Sequence, residues 1–328
     1  MRAYTYSRPG SVPEALARAG AETAFLAGGT TLVDLMKLDV LAPAHVVDID
    51  RLPLRGITGD HRGLHIGALE RMSDVAAHRT VRESYPMISQ ALELSASGQL
   101  RNMASIGGNL LQRTRCGYYR DVSTPCNKRE PGSGCAALTG VNRGHAILGT
   151  SDACIATSPS DLAVALVALG TVVHLASARG TRSVPLDAFY TLPGSTPQVE
   201  TVLQPGELIT GITVPSLPWA SRSLYLKIRD RQSYEFALAS AAVALELRGG
   251  TIRQARVAAG GVGTKPWRLT VVEQALAGRR PTAETFEAAV AHAADGAVPR
   301  EHNSFKPALL RRTIVRALTT LTENKGAR

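Results

Sequence analysis

Four thiols confined to one stretch are the residues best suited to chemistry. Cys116, Cys126, Cys135 and Cys154 are the only cysteines of the 328-residue chain, spaced C-x9-C-x8-C-x18-C among Gly117, Pro125, Pro131, Gly132, Gly134 and Gly140. Thiolates bind soft metals or pair as disulfides. Disulfide staples suit small exported chains, whereas this one is long enough to bury a large core and opens on MRAYTYSRPGSVPEAL, with no apolar leader. Zinc ribbons and fingers use closely spaced cysteine knuckles, and none occurs. A four-iron cluster asks only that four thiolates on pliant loops converge on a cube. Cluster, zinc and structural or disulfide cysteines all stay open on spacing, with the cluster favoured. Arg113, Arg115, Arg120, Lys128, Arg129 and Arg143 outnumber Asp121, Glu130 and Asp152 around the thiols. Such a positive surround stabilises a reduced cluster, and it equally suits a solvated loop.

Two glycine turns offer a second chemistry. FLAGGTTL sets Gly28 and Gly29 between an apolar strand and a helix that begins near Thr30 and Thr31. Glycine permits close backbone approach, and main-chain N–H groups with two hydroxyls make a seat for a diphosphate. SIGGNL repeats the pattern with Ser105, Gly107, Gly108 and Asn109, so two turns could meet on one anion. Each is also what an ordinary glycine turn looks like. Neither fits G-x-G-x-x-G or the P-loop pattern, which leaves a large non-Rossmann dinucleotide such as FAD as the natural ligand. Asp161, heading the apolar run DLAVALVALG, is placed to accept from ribityl hydroxyls or to cap its helix.

Positioning these groups takes a mixed α and β framework. Residues 4 to 48 read as strand, helix, strand, helix, strand, with Pro13 suited to a first helical turn. Short strands (ITGD, LHIGA), a helix near 70–78 and another after Pro86 lead to SIGGNL. Beyond the cysteines, PSDLAVALVALG reads as a buried helix and TVVHLAS as a strand. After about 215 the texture shifts to three strands, SLYLKIR, ALASAAVALELR and TIRQARVAAGGV, and to helices at about 267–277, 282–295 and 305–323. This predicts a separate C-terminal lobe with a three-stranded antiparallel sheet covered by helices.

Composition narrows the partners. With 44% hydrophobic and 20% charged residues the chain has the balance of a folded globular protein. No apolar run is long enough to span a bilayer. The net charge of +10 suits an acidic partner subunit or an anionic cofactor, and its scattered placement disfavours nucleic acid. The expected address is the cytoplasm, with carriage to the periplasm by a signal-bearing partner as the second route.

FLAGGTTLVDLMK, NMASIGGNLLQ, SPSDLAVALVALG and YLKIRDRQSYEFALASAAVAL, taken in order, resemble the FAD-binding subunits of the molybdenum hydroxylases. The resemblance implies an α+β fold of the vanillyl-alcohol oxidase or PCMH type over 1–215. A small subdomain would cover about 1–55 and a larger one about 56–215, with the C-terminal domain over 216–328. It implies a diphosphate held by Phe25, Leu26, Ala27, Gly28, Gly29, Thr30, Thr31, Leu32, Val33 and Asp34. Ser105, Gly108, Asn109 and Asp161 match further FAD positions. Ile209 or Thr210 in ELITGITVP would lie beside the flavin, with Lys227 near the isoalloxazine. No aromatic counterpart to the flavin-side ring of some relatives stands near Ser95. The stretch 112–156 is an insert resembling those of [4Fe-4S]-bearing flavin subunits, closest to periplasmic-type aldehyde oxidoreductases through CGYYRD and KIRDRQSY. Cys116, Cys126, Cys135 and Cys154 would then hold the cluster.

The function so implied is electron transfer. Electrons from an aldehyde oxidised at a molybdenum cofactor on a large subunit would pass through [2Fe-2S] centres on a small subunit to FAD and an external acceptor. No residue of this chain is assigned a catalytic role. A 4-hydroxybenzoyl-CoA reductase-like or xanthine dehydrogenase-like subunit is the nearest alternative. A stand-alone FAD oxidase and a zinc-stabilised scaffold are the readings from other classes.

Overall fold

A computed structural model describes residues 1–323. The first elements are β1 (Thr5–Ser7), α1 (Val12–Ala17), β2 (Thr23–Leu26), α2 (Leu32–Lys37) and β3 (His45–Asp48). Helical crossovers return each strand parallel to the last, giving a parallel sheet of order β1-β3-β2. The Ser11 hydroxyl accepts the Glu14 N–H to cap α1, with Pro13 in its first turn. At α2 the cap position falls to Thr31 rather than Thr30, and its hydroxyl caps nothing.

A hairpin of β4 (Ile57–Asp60) and β5 (Gly63–Gly67) follows. Five short helices come next: α3 (Met72–Ala77), α4 (Arg79–Ser84), α5 (Pro86–Glu93), α6 (Gly98–Met103) and α7 (Ile106–Leu110). The cysteine stretch is loop apart from the single turn α8 (Gly117–Arg120) and a short 3-10 turn at Ala136–Leu138. Its ends are tied where the Thr114 hydroxyl donates to the Thr157 carbonyl at 3.1 Å. Tyr119, 1% exposed, plugs it onto Leu35 of α2 beside Cys126. The helix α9 (Asp161–Ala168) is apolar all round and buried at every residue. Next come β6 (Val172–Ser177), β7 (Gly180–Pro185), α10 (Leu186–Phe189) and β8 (Leu208–Pro215), completing an antiparallel sheet of order β4-β5-β8-β6-β7.

The C-terminal sheet has the three expected strands, β9 (Ser223–Ile228), β10 (Ala239–Arg248) and β11 (Thr251–Gly260), and a fourth, β12 (Trp267–Arg268). Trp267 and Arg268 pair with Ala259 and Ala258, so the helix expected from about 267 is delayed to α11 (Thr270–Leu276). The chain continues through α12 (Ala283–Ala289), shorter than the expected 282–295, to α13 (Lys306–Glu323). The lobe is not separate in its packing. Ala239, Ala241, Val243 and Leu245 of β10 join a core with Leu310 and Ile314 of α13, while the alternate Ala242 and Ala244 share a core with α5 and α9. Small side chains on that second face let two layers of backbone approach, and the period of two divides one strand between two cores. Among the described residues no helix is long and apolar enough to cross a membrane.

Candidate functional site

The two glycine turns touch. A Cβ placed on Gly28 would sit 1.9 Å from the Met103 carbonyl oxygen, so only glycine lets the first turn press against the lead into the second. Gly29 has φ +72°, the left-handed region that favours glycine. The N–H groups of Gly28, Gly29, Thr30 and Thr31 find no acceptor among the described residues. The second turn is the opposite case. The N–H groups of Ile106 and Gly107 donate to the Glu70 and Ala68 carbonyls, that of Asn109 to the Ser105 carbonyl, and that of Gly108 to the Ser105 hydroxyl at 3.2 Å. Its donors are committed, so it serves as a wall while the first turn offers free amides.

These turns border a cleft of about 550 Å³. Gly29, Thr30, Thr31, Val33, Asp34, Gly108, Asn109 and Asp161 line it. Phe25 and Leu26 instead end β2, Ala27 packs with Phe25 in the small core, and Leu32 opens α2, so these four carry the loop. Ile209 is buried in the main core, and the Thr210 hydroxyl donates to the His174 carbonyl at 3.2 Å. Neither lines the cleft.

Beneath the cleft lies a buried polar network. Lys227 Nζ donates to Asp161 Oδ2 at 2.7 Å and to the Leu94 carbonyl at 3.1 Å. Ser95 also donates to Oδ2, at 3.1 Å, and Tyr225 donates to Oδ1 at 2.6 Å. Burial and then the Asp161 carboxylate push the Tyr225 hydroxyl well above its ordinary pKa, keeping it a donor. Asp161 is not the helix cap: the Ser160 hydroxyl accepts the Ala163 N–H at 3.0 Å and donates to Asn109 Oδ1 at 2.6 Å. Three donors leave Asp161 one acceptor position on Oδ1.

Sequence reasoning missed the other wall. Arg115 and Arg120 reach from the insert to Asp34 Oδ2 at 3.1 and 2.8 Å, setting two guanidiniums at the cleft. Arg231, Tyr234, Glu235 and Phe236, from the loop between β9 and β10, complete it. Both rings are exposed, and the Arg115 guanidinium lies 5.6 Å from the Phe236 ring centre. Two aromatics in the polar run RDRQSYEF were the available signal. Arg115, Pro159, Asp161, Glu235 and Phe236 continue into a second cleft of about 260 Å³, which Cys116 and His145 also line.

Cys116, Cys126, Cys135 and Cys154 are unpaired and line one small cavity. Cys126 and Cys135 face each other across an antiparallel bridge. The cavity is about 10 Å³, and among the described residues no three His, Cys, Asp or Glu side chains are close enough to share a single ion. A cube gives each thiolate its own iron and does not demand that convergence. The fit therefore lies in the donor set and its common cavity. Burial pushes the Cys116 thiol up to about 11 and raises that of Cys154, so only a bound cation would make these strong thiolate ligands.

Residues 2–217 match the family described as FAD binding domain in molybdopterin dehydrogenase, and residues 224–321 match the CO dehydrogenase flavoprotein C-terminal domain. The chain is 48% identical over 325 residues to the aldehyde oxidoreductase FAD-binding subunit PaoB of Escherichia coli (strain K12), covering 97% of this chain and 98% of that one. It is 31% identical to the glyceraldehyde dehydrogenase medium chain of Sulfolobus acidocaldarius, covering 84% and 82%. Among solved structures, a carbon monoxide dehydrogenase chain from Hydrogenophaga pseudoflava superposes with a TM-score of 0.76 at 26% identity, covering 98% of each chain.

Proposed function

Because the chain belongs to the family of FAD-binding subunits of molybdopterin dehydrogenases, we propose that it is the FAD- and [4Fe-4S]-binding subunit of a molybdenum-dependent aldehyde oxidoreductase. The observation that carries the flavin reading is the first glycine turn, whose uncommitted N–H groups border a cleft walled by Arg115, Arg120 and Arg231. Gly28, Gly29, Thr30 and Thr31 would hold the diphosphate, with the arginines offsetting its charge. Gly108 and Asn109 close the opposite wall, and Asp161 offers its remaining acceptor position to a hydroxyl. Lys227 acts through Asp161, fixing the carboxylate from below. Tyr234 and Phe236 are the rings available to cover the cofactor.

The cluster reading is supported by four unpaired thiols on one cavity. Cys116, Cys126, Cys135 and Cys154 would be the ligands. When bound, flavin and cluster supply electron transfer, from an aldehyde oxidised at molybdenum on a large subunit, through [2Fe-2S] centres on a small one, to an external acceptor. We divide the chain accordingly into an FAD-binding domain over 1–215, carrying the insert at 112–156, and a C-terminal domain over 216–328.

Purification of the full-length chain tests both assignments. Flavin absorbance with FAD released on denaturation, together with iron and acid-labile sulfide, is the expected result. A colourless protein refutes the flavin reading, and zinc without iron refutes the cluster.

A further inference from the structure

One histidine of the insert lines the second cleft and touches one of the four cysteines. His145 Nε2 lies 3.2 Å from Cys116 Sγ, and the residue is 9% exposed. Of the four cysteines, Cys116 is the one that borders the second cleft, the one continuous with the cleft assigned to FAD. His145 is held there from several sides. Its N–H donates to the Asn142 carbonyl, and its own carbonyl accepts from Lys306 Nζ at 2.9 Å and Asn303 Nδ2 at 3.3 Å. Lys306, fully buried at the head of α13, also donates to the Gly144 carbonyl at 3.1 Å and the Gly261 carbonyl at 2.6 Å. A buried ammonium spent on three carbonyls is a costly way to fix a loop unless the loop's geometry matters.

The ring has one polar contact. Nδ1 finds no partner among the described residues. A cysteine ligated to iron is a thiolate and can only accept, so the proton of a neutral imidazole facing it belongs on Nε2, leaving Nδ1 with its lone pair. Reduction of an iron–sulfur cluster spreads added negative charge onto its sulfurs, and an N–H aimed at a ligand sulfur favours that more negative form.

We propose that His145 is a positioning residue for redox tuning: its Nε2–H donates to the Cys116 thiolate and raises the cluster's reduction potential on the side facing the flavin cleft. The inference rests on the [4Fe-4S] reading above, and its test separates the two. Iron and acid-labile sulfide per chain report whether a cluster is present. An EPR-monitored redox titration of the full-length protein reports its potential.

His145→Phe keeps the ring's bulk without a donor. It is expected to retain iron, sulfide and flavin while reduction becomes about tenfold less favourable, about 59 mV lower for a one-electron couple. His145→Gln, whose amide N–H reaches close to the position of Nε2, should restore the wild-type potential. A fully loaded His145→Phe protein with an unchanged potential overturns the proposal. Should that variant lose its iron, His145→Asn, whose amide is too short to reach, replaces it. A His145→Gln potential equal to that of His145→Asn then overturns the proposal, and one equal to wild type supports it. Wild-type protein without iron removes the cluster reading and this inference together, in the metal assay rather than the titration.

Discussion

At the residue scale, the chain places unusual residue types where nothing else would serve, and those were the easiest to read. Gly28 is an example whose reason changed. Its sequence context suggested room for a phosphate, and the structure shows the missing Cβ is needed first for contact with the Met103 carbonyl. Gly28→Ala should therefore push the two turns apart. An overpacking cost of ~1–3 kcal/mol at the turn corresponds to about five- to 150-fold weaker FAD retention, read as flavin per purified chain. Unchanged occupancy would count against the seat. Asp161→Asn tests the buried network. It leaves the Lys227 ammonium, whose side chain is 1% exposed, without its carboxylate, and the expected loss of ~3–5 kcal/mol shows as a lower denaturation midpoint. What could not be read was direction. Arg115 and Arg120 were legible as insert charges, yet nothing in their spacing says that both turn to Asp34.

At the element scale, strands and helices followed their apolar periods, and the misses fall where tertiary pairing overrides local pattern. Trp267 and Arg268 read as the start of a helix, but hydrogen bonding along β11 captures them first. The segment ELITGITVP drew notice only through its resemblance to a flavin-side segment, and it forms the strand β8, central between β5 and β6, with Ile209 buried. The same strand begins with a clamp: Arg182 of β7 makes a two-pronged pair with Glu207, Nε and Nη2 each 2.6 Å from a carboxylate oxygen. That hydrogen bonding, outweighing the cost of burial, holds Glu207 below the usual carboxylate range. The folded value is the lower one, so the pair's stabilisation is fully present above the unfolded value near 4.5 and fades as pH falls through the folded value. Arg182 is largely open to solvent, so screening keeps that gain small. Glu207→Gln should lower the melting temperature slightly at neutral pH and converge with wild type in acid, flattening the acid limb of the melting temperature plotted against pH. An acid limb identical to wild type would assign that loss to other carboxylates.

At the scale of the whole molecule, the change of texture near residue 215 was visible, and the division it suggested does not extend to the packing. Tyr225 and Lys227 of β9 complete the Asp161 network, while Ala242, Ala244 and Ala258 lie in the core that α5 and α9 build. A strand with alanine on both faces carries no mark of which neighbours it serves, which is why the shared core escaped the sequence. Calorimetry of the full chain should give one cooperative transition, and two well-separated ones would mean the halves melt independently. The cysteine stretch shares this continuity, with Ile147 and Leu148 in the C-terminal core, and it leaves and rejoins the scaffold where Thr114 and Thr157 meet. A segment that departs and returns at one point pays only a slowly growing closure entropy for extra length. Residues added at its exposed tip, around Pro131 and Gly132, would meet little resistance, whereas excising the whole would open the C-terminal core and strand the buried Lys306 without two of its carbonyls.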